Sequence, residues 1–167
     1  MAEKTILTYP DAQLKLESQE IVDFGDNLQK IIEDMEDTMQ QGPGAVGLAA
    51  PQIGYQFRVI IVDVSAKKKI KQHGHLVLIN PEITHWEGMA KGREGCLSVP
   101  DYTGNVIRAK NIKLAAMSQD GEKLSFEMEG YEARAIQHEL DHLDGILFLD
   151  RLVSRRNDLF RRKENNQ

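Results

Sequence analysis

The 167-residue chain has one cysteine, Cys96, so no disulfide can close within it, a usage that suits a reducing compartment. Nowhere do about eighteen apolar residues run together, which excludes an ordinary membrane-spanning helix. The opening Met1-Ala2-Glu3-Lys4-Thr5 has neither a basic start before an apolar core nor an Arg-rich amphipathic stretch, so a cytoplasmic protein is expected. Basic residues are outnumbered, 21 against 26 acidic, for a formal charge of -5; direct nucleic-acid binding is therefore not expected. One basic stretch stands out near the end: Arg151, Arg155, Arg156, Arg161, Arg162 and Lys163. No repeat, linker or low-complexity segment interrupts the chain. Its 41% hydrophobic and 28% charged residues describe a single globular domain over residues 1–167, long enough to bury its own core.

Between residues 24 and 41, Phe24, Leu28, Ile31, Ile32, Met35 and Met39 recur every three or four positions among acids and amides, which predicts an amphipathic helix ended by Gly42-Pro43-Gly44. The β-branched run at residues 58–64 and the run at 75–79 read as strands that could pair. Between them Lys67, Lys68, Lys69 and Lys71 are expected to form a solvated loop. Residues 83–87, after Asn80-Pro81, form a third extended segment, and segments 111–117 and 123–129 flank Asp120-Gly121 as a hairpin. Residues 131–143 lack Gly and Pro, and Ile136, Leu140 and Leu143 are spaced four and three apart, which predicts a second helix closed by Asp144-Gly145. A short polar helix is expected over residues 150–163, with residues 164–167 frayed. The sum is an α+β fold: small antiparallel sheets around the second helix, with an N-terminal helix and a short C-terminal one.

That second helix carries His138-Glu139-Leu140-Asp141-His142, an H-E-x-x-H sequence. Four residues make slightly more than one turn, so both imidazoles leave one face within reach of a single ion, and Glu139 points close to the same place. Two solvated or capping histidines would give the same pentapeptide; a third ligand would decide against that. A catalytic site of this sort takes three protein ligands and leaves one position for water, and Cys96 is the candidate third. It lies in Gly92-Arg93-Glu94-Gly95-Cys96-Leu97-Ser98-Val99-Pro100, which suggests a turn rather than a regular buried strand. Asp141 could orient one of the imidazoles, since ligating histidines usually donate their other N–H to a carboxylate or carbonyl. The stretch at residues 44–54 is made of small residues with one amide side chain, Gln52, and alone reads as a packed loop. A zinc endopeptidase would need a further ligand after His142 at H-x-x-G-x-x-H spacing, and residues 143–148 supply none. A non-catalytic metal-binding protein would need neither Glu139 nor Gln52.

Taken together, these segments resemble the peptide deformylase family. Its motifs G-x-G-L-A-A-x-Q, E-G-C-[LV]-S and Q-H-E-x-D-H are similar to residues 45–52, 94–98 and 137–142, in the family's order, and Ile6-Leu7-Thr8-Tyr9-Pro10-Asp11 is similar to its opening. The resemblance runs to about Leu149 and leaves out the C-terminal tail. It implies a metal-dependent hydrolase that removes the formyl group from the N-terminal methionine of nascent polypeptides and releases formate. It makes Cys96, His138 and His142 the metal ligands, Glu139 the general acid and base, and the Leu97 amide and Gln52 side chain the donors to the oxyanion. Glu94 and Arg108 are expected to form an ion pair that holds the Cys96 loop. The nascent peptide is expected to lie extended beside Val46-Gly47 and Gly95, with its methionine in a pocket bordered by Val46, Tyr131, Arg134 and Ala135. Fe²⁺ is the ion the resemblance implies, although a thiolate with two imidazoles also suits Zn²⁺, Ni²⁺ or Co²⁺. The basic tail could dock on the ribosome. One departure is Ala45, where the family usually has its first loop glycine; a positive φ there would cost about 1 kcal/mol.

Overall fold

Helix α1 (Asp26–Gln41) forms where the periodicity predicts it and buries Leu28, Ile31, Ile32 and Met35. It leads through β1 (Gly47–Ala49) and a 3-10 turn (Ala50–Ile53) to β2 (Val59–Asp63) and β3 (His75–Glu87). The hairpin β4 (Ala90–Cys96) and β5 (Val99–Arg108) follows, then β6 (Asn111–Met117), β7 (Lys123–Glu129) and α2 (Gly130–Leu143). A 3-10 turn (Phe148–Arg151), a one-turn α3 (Arg155–Asp158) and β8 (Leu159–Arg161) complete the computed structural model, which describes residues 4–42 and 44–162.

Two antiparallel sheets result, one in the order β1-β2-β3-β6-β7 and one in the order β4-β5-β8. The unbroken β-branched run of β2 is explained by cover on both faces. Val59 and Ile61 pack with Leu28, Ile31, Ile32 and Met35 of α1, whereas Ile60 and Val62 turn the other way, toward Ile136 and Leu143 of α2. These four β2 side chains are inaccessible to solvent. The second sheet has its own core of Val99, Val106, Leu147, Phe148 and Leu149, and Cys96 belongs to it. No described helix is long and apolar enough to cross a membrane.

Several expectations change. The extended segments at 75–79 and 83–87 are one strand, continued through a register shift at Asn80, which has φ 50° and whose side chain bonds the Ile21 N–H and C=O at 2.8 and 2.9 Å. Cys96 is not in an isolated turn: it ends β4, and Leu97-Ser98 form the two-residue connection to β5. The helix expected over residues 150–163 is replaced by α3 and β8, because Leu159 and Phe160 pair with Gly104 and Thr103. Lys163 and the expected frayed end lie outside the described residues. The lysine loop is solvated as expected, with Lys67, Lys68, Lys69 and Lys71 all exposed and Lys67 Nζ 4.7 Å from the centre of the Tyr131 ring.

Candidate active site

Helix α2 presents His138, Glu139 and His142 toward the end of β4, and the ligand atoms of Cys96, His138 and His142 all lie within 4.8 Å of one another. Cys96 Sγ is 3.3 Å from His142 Nε2. His138 Nδ1 donates to Glu94 Oε1 at 2.9 Å, which fixes its tautomer and leaves Nε2 as the atom carrying the lone pair. The buried Glu139 Oε1 has no hydrogen-bond partner among the described residues. A soft sulfur, two imidazoles and an orphaned carboxylate oxygen fit a divalent cation with an associated water.

Glu94, not Asp141, orients an imidazole. Arg108 grips Glu94 through Nε and Nη2 at 2.9 Å each, and Arg134 adds Nη1 at 2.7 Å. Burial raises the Glu94 pKa, but His138 and Arg108 outweigh it and hold the carboxyl well below the usual range. Asp141 instead accepts from Arg108 Nη1 at 2.6 Å and from Arg151 Nε and Nη2 at 3.0 and 2.9 Å. The expected Glu94–Arg108 pair is thus the middle of a five-residue network that reaches across α2 from the hairpin to the following turn. Glu139 lies in a different setting: burial pushes its carboxyl up to about 7 against the opposing effect of His138. Burial also pushes His142 down, toward the neutral form that a ligand requires.

Gln52 reaches the same point from the 3-10 turn. Its Oε1 accepts from the Ala49 N–H at 2.9 Å, while Nε2 donates to Ser98 Oγ at 3.0 Å and faces Cys96 Sγ at 3.6 Å. Two backbone bonds align these loops: the Leu7 N–H donates to the Gln52 C=O at 2.7 Å and the Tyr9 N–H to the Ser98 C=O at 2.8 Å. Sequence reasoning missed these ties, along with Ser98 and Arg151.

A cavity of about 440 Å³ opens over the cluster, and Val46, Gly47, Gly95, Leu97, Tyr131, Arg134 and Ala135 all line it. Arg134 is spoken for, since it also donates to the C=O groups of Val106 and Ala90 at 3.0 and 2.7 Å. Gly47 is needed for close approach, because a Cβ there would stand 2.5 Å from Glu139 Oε2. The positive φ of this loop, 76°, falls on Gly44; Ala45 has none, so the departure from the family pattern carries no backbone strain.

The sequence matches the polypeptide deformylase family over residues 3–158. A peptide deformylase of Thermodesulfovibrio yellowstonii is 42% identical over 163 residues, 98% of this chain and 97% of that protein. The crystal structure of a peptide deformylase from Legionella pneumophila superposes with a TM-score of 0.83 at 40% identity, covering 90% of this chain and 86% of the other. A Met-Ala-Ser-bound class I type b enzyme from Acinetobacter baumannii gives 0.83 at 34% identity, covering 90% of this chain and all of that one, 100%. Likeness of this extent, over a fold that gathers the three motifs around one cavity, makes the chain an enzyme of the polypeptide deformylase family.

Proposed function

We propose that this chain hydrolyses the formyl amide of N-formyl-methionyl nascent peptides in the cytoplasm, acting as one catalytic domain. The convergence of Cys96, His138 and His142 beside Glu139 and Gln52 carries the reading. Cys96, His138 and His142 would hold a divalent cation, expected to be Fe²⁺, which when bound lowers the pKa of a water from about 15.7 toward 7 and polarises a carbonyl.

The remaining requirements fall to the chain's own side chains. Glu139 takes the proton of the attacking water and delivers it to the departing nitrogen, so that formate and a free methionine amine result. Gln52 Nε2 and the Leu97 N–H donate to the formyl oxygen as negative charge develops on it. Glu94 holds His138 in the tautomer whose Nε2 can ligate, and Arg108 holds Glu94. The unpaired edges of β1 and β4, near Gly47 and Gly95, suit an extended peptide that bonds through its main chain, with Val46, Tyr131 and Ala135 around the methionine. The Met-Ala-Ser bound by the Acinetobacter relative has the form such a reaction would leave. Exposed Arg155, Arg156 and Arg161 could meet the ribosome, where these substrates emerge.

Anaerobically purified, metal-reconstituted protein should release formate from formyl-Met-Ala-Ser in step with new amine and leave casein uncut. Proteolysis without formate release would favour a metallopeptidase instead. Gln52→Leu should keep its cation, measured by metal analysis, and lose about a hundredfold in kcat; near-normal turnover would remove Gln52 from the mechanism. Gly47→Ala pushes the Glu139 carboxylate out of place, and a shift of about 1 Å should cost roughly a hundredfold in kcat/KM with little change in melting temperature.

A further inference from the structure

Two guanidiniums at the rim of the active-site cavity, Arg93 and Arg162, have no carboxylate partner among the described residues, unlike Arg134 beside them. Arg162 follows β8, its backbone N–H donating to the Asp101 C=O at 2.7 Å and its Nε to the Pro100 C=O at 2.9 Å. That tether aims its Nη groups at Gly95, where a Cβ would stand 2.7 Å from Nη2. Arg93 lies two residues before Gly95 on β4 and so leaves the same side of the strand. Its guanidinium lies 3.7 Å from the centre of the Phe160 ring, and it donates to Asn105 Oδ1 and Thr103 Oγ1 at 3.2 and 3.4 Å, both neutral acceptors. Phe160 and Arg162, alternate residues of one extended segment, therefore fix both positive groups. They leave two exposed, pre-positioned cations at the edge of a cavity in a chain whose formal charge is -5.

We propose that Arg93 and Arg162 select formyl-methionyl peptides with an acidic side chain one or two residues beyond the methionine. This deepens the deformylase reading and rests on it. A peptide extended along the Gly95 edge would pass beneath both guanidiniums, where a carboxylate gains a charge-assisted partner and a lysine meets like charge. Exposed pairs of this kind are worth about threefold each, so the two together should separate acidic from basic peptides by roughly tenfold.

The experiment compares kcat/KM for formyl-Met-Ala-Glu-amide against formyl-Met-Ala-Lys-amide, and for formyl-Met-Glu-Ala-amide against formyl-Met-Lys-Ala-amide. The amide caps remove the terminal carboxylate as a source of the effect. The metal-loaded enzyme should favour Glu about tenfold in at least one pair, chiefly through KM, and less at high salt. Arg162→Gln should cut that ratio about threefold, R93Q/R162Q should bring it near one, and Arg162→Lys should restore most of the single loss. Because the ratio is taken within each variant, partial misfolding cancels from it. A wild-type ratio near one in both pairs, a ratio that survives the double substitution, or a preference confined to uncapped peptides overturns the proposal. Absence of formate release from every peptide would instead overturn the functional reading beneath it.

Discussion

Glu139→Gln should lower formyl-peptide turnover about a thousandfold while leaving one cation per chain. The amide fills the space of the carboxylate against Gly47 and beside the histidines, so the cavity keeps its shape. What disappears is the ability to accept a proton at one moment and return it at another. The measurement pairs single-turnover deformylation with metal analysis on the same sample. Turnover within tenfold of wild type would show that another group carries the proton; loss of the cation would show that Glu139 helps to hold it.

Arg108→Met is expected to act on stability first. Arg108 is 5% exposed and serves two buried carboxylates, Glu94 and Asp141. Removing one member of a buried charge cluster typically costs about 3–5 kcal/mol, because the partners remain buried without it. Here Glu94 retains Arg134 and Asp141 retains the half-exposed Arg151, so the lower end, about 3 kcal/mol, is expected. At roughly 2–4 °C per kcal/mol for a chain of this size, the melting temperature should fall by the order of 10 °C. The sign of the pH effect follows from Glu94, whose folded pKa is depressed. Its stabilisation is complete above the unfolded carboxylate pKa and is lost as pH falls through the folded one. Weakening that depression should flatten the acid side of the variant's stability curve. A variant that melts with wild type across pH would mean that the network adds nothing net.

The parts of this molecule that rest on nearby residues were legible in the sequence. The spacing of His138 and His142 is a property of one helical turn, and the hairpin at residues 111–129 is announced by Asp120-Gly121 between alternating runs. Cys96 stood out as the one cysteine of the chain, preceded by glycines and followed by Pro100, but its strand did not. β4 reads Ala-Lys-Gly-Arg-Glu-Gly-Cys, with two glycines and three charges, and owes its extension to pairing with β5. β8 is the same case at longer range, since its partner lies more than fifty residues earlier. Asp141 was misread because the sequence shows its nearness to the histidines but not its partners: its side chain meets Arg108 and Arg151, while the carboxylate that bonds His138 comes from β4.

The fasteners at Leu7 and Tyr9 are peptide N–H groups, so their grip on the loops bearing Gln52 and Ser98 is indifferent to which side chains those two positions carry. A changed side chain at Tyr9, which is exposed, leaves the alignment in place, whereas Leu7 also packs against the core of the second sheet. Proline alone, having no hydrogen on its nitrogen, is barred from either site.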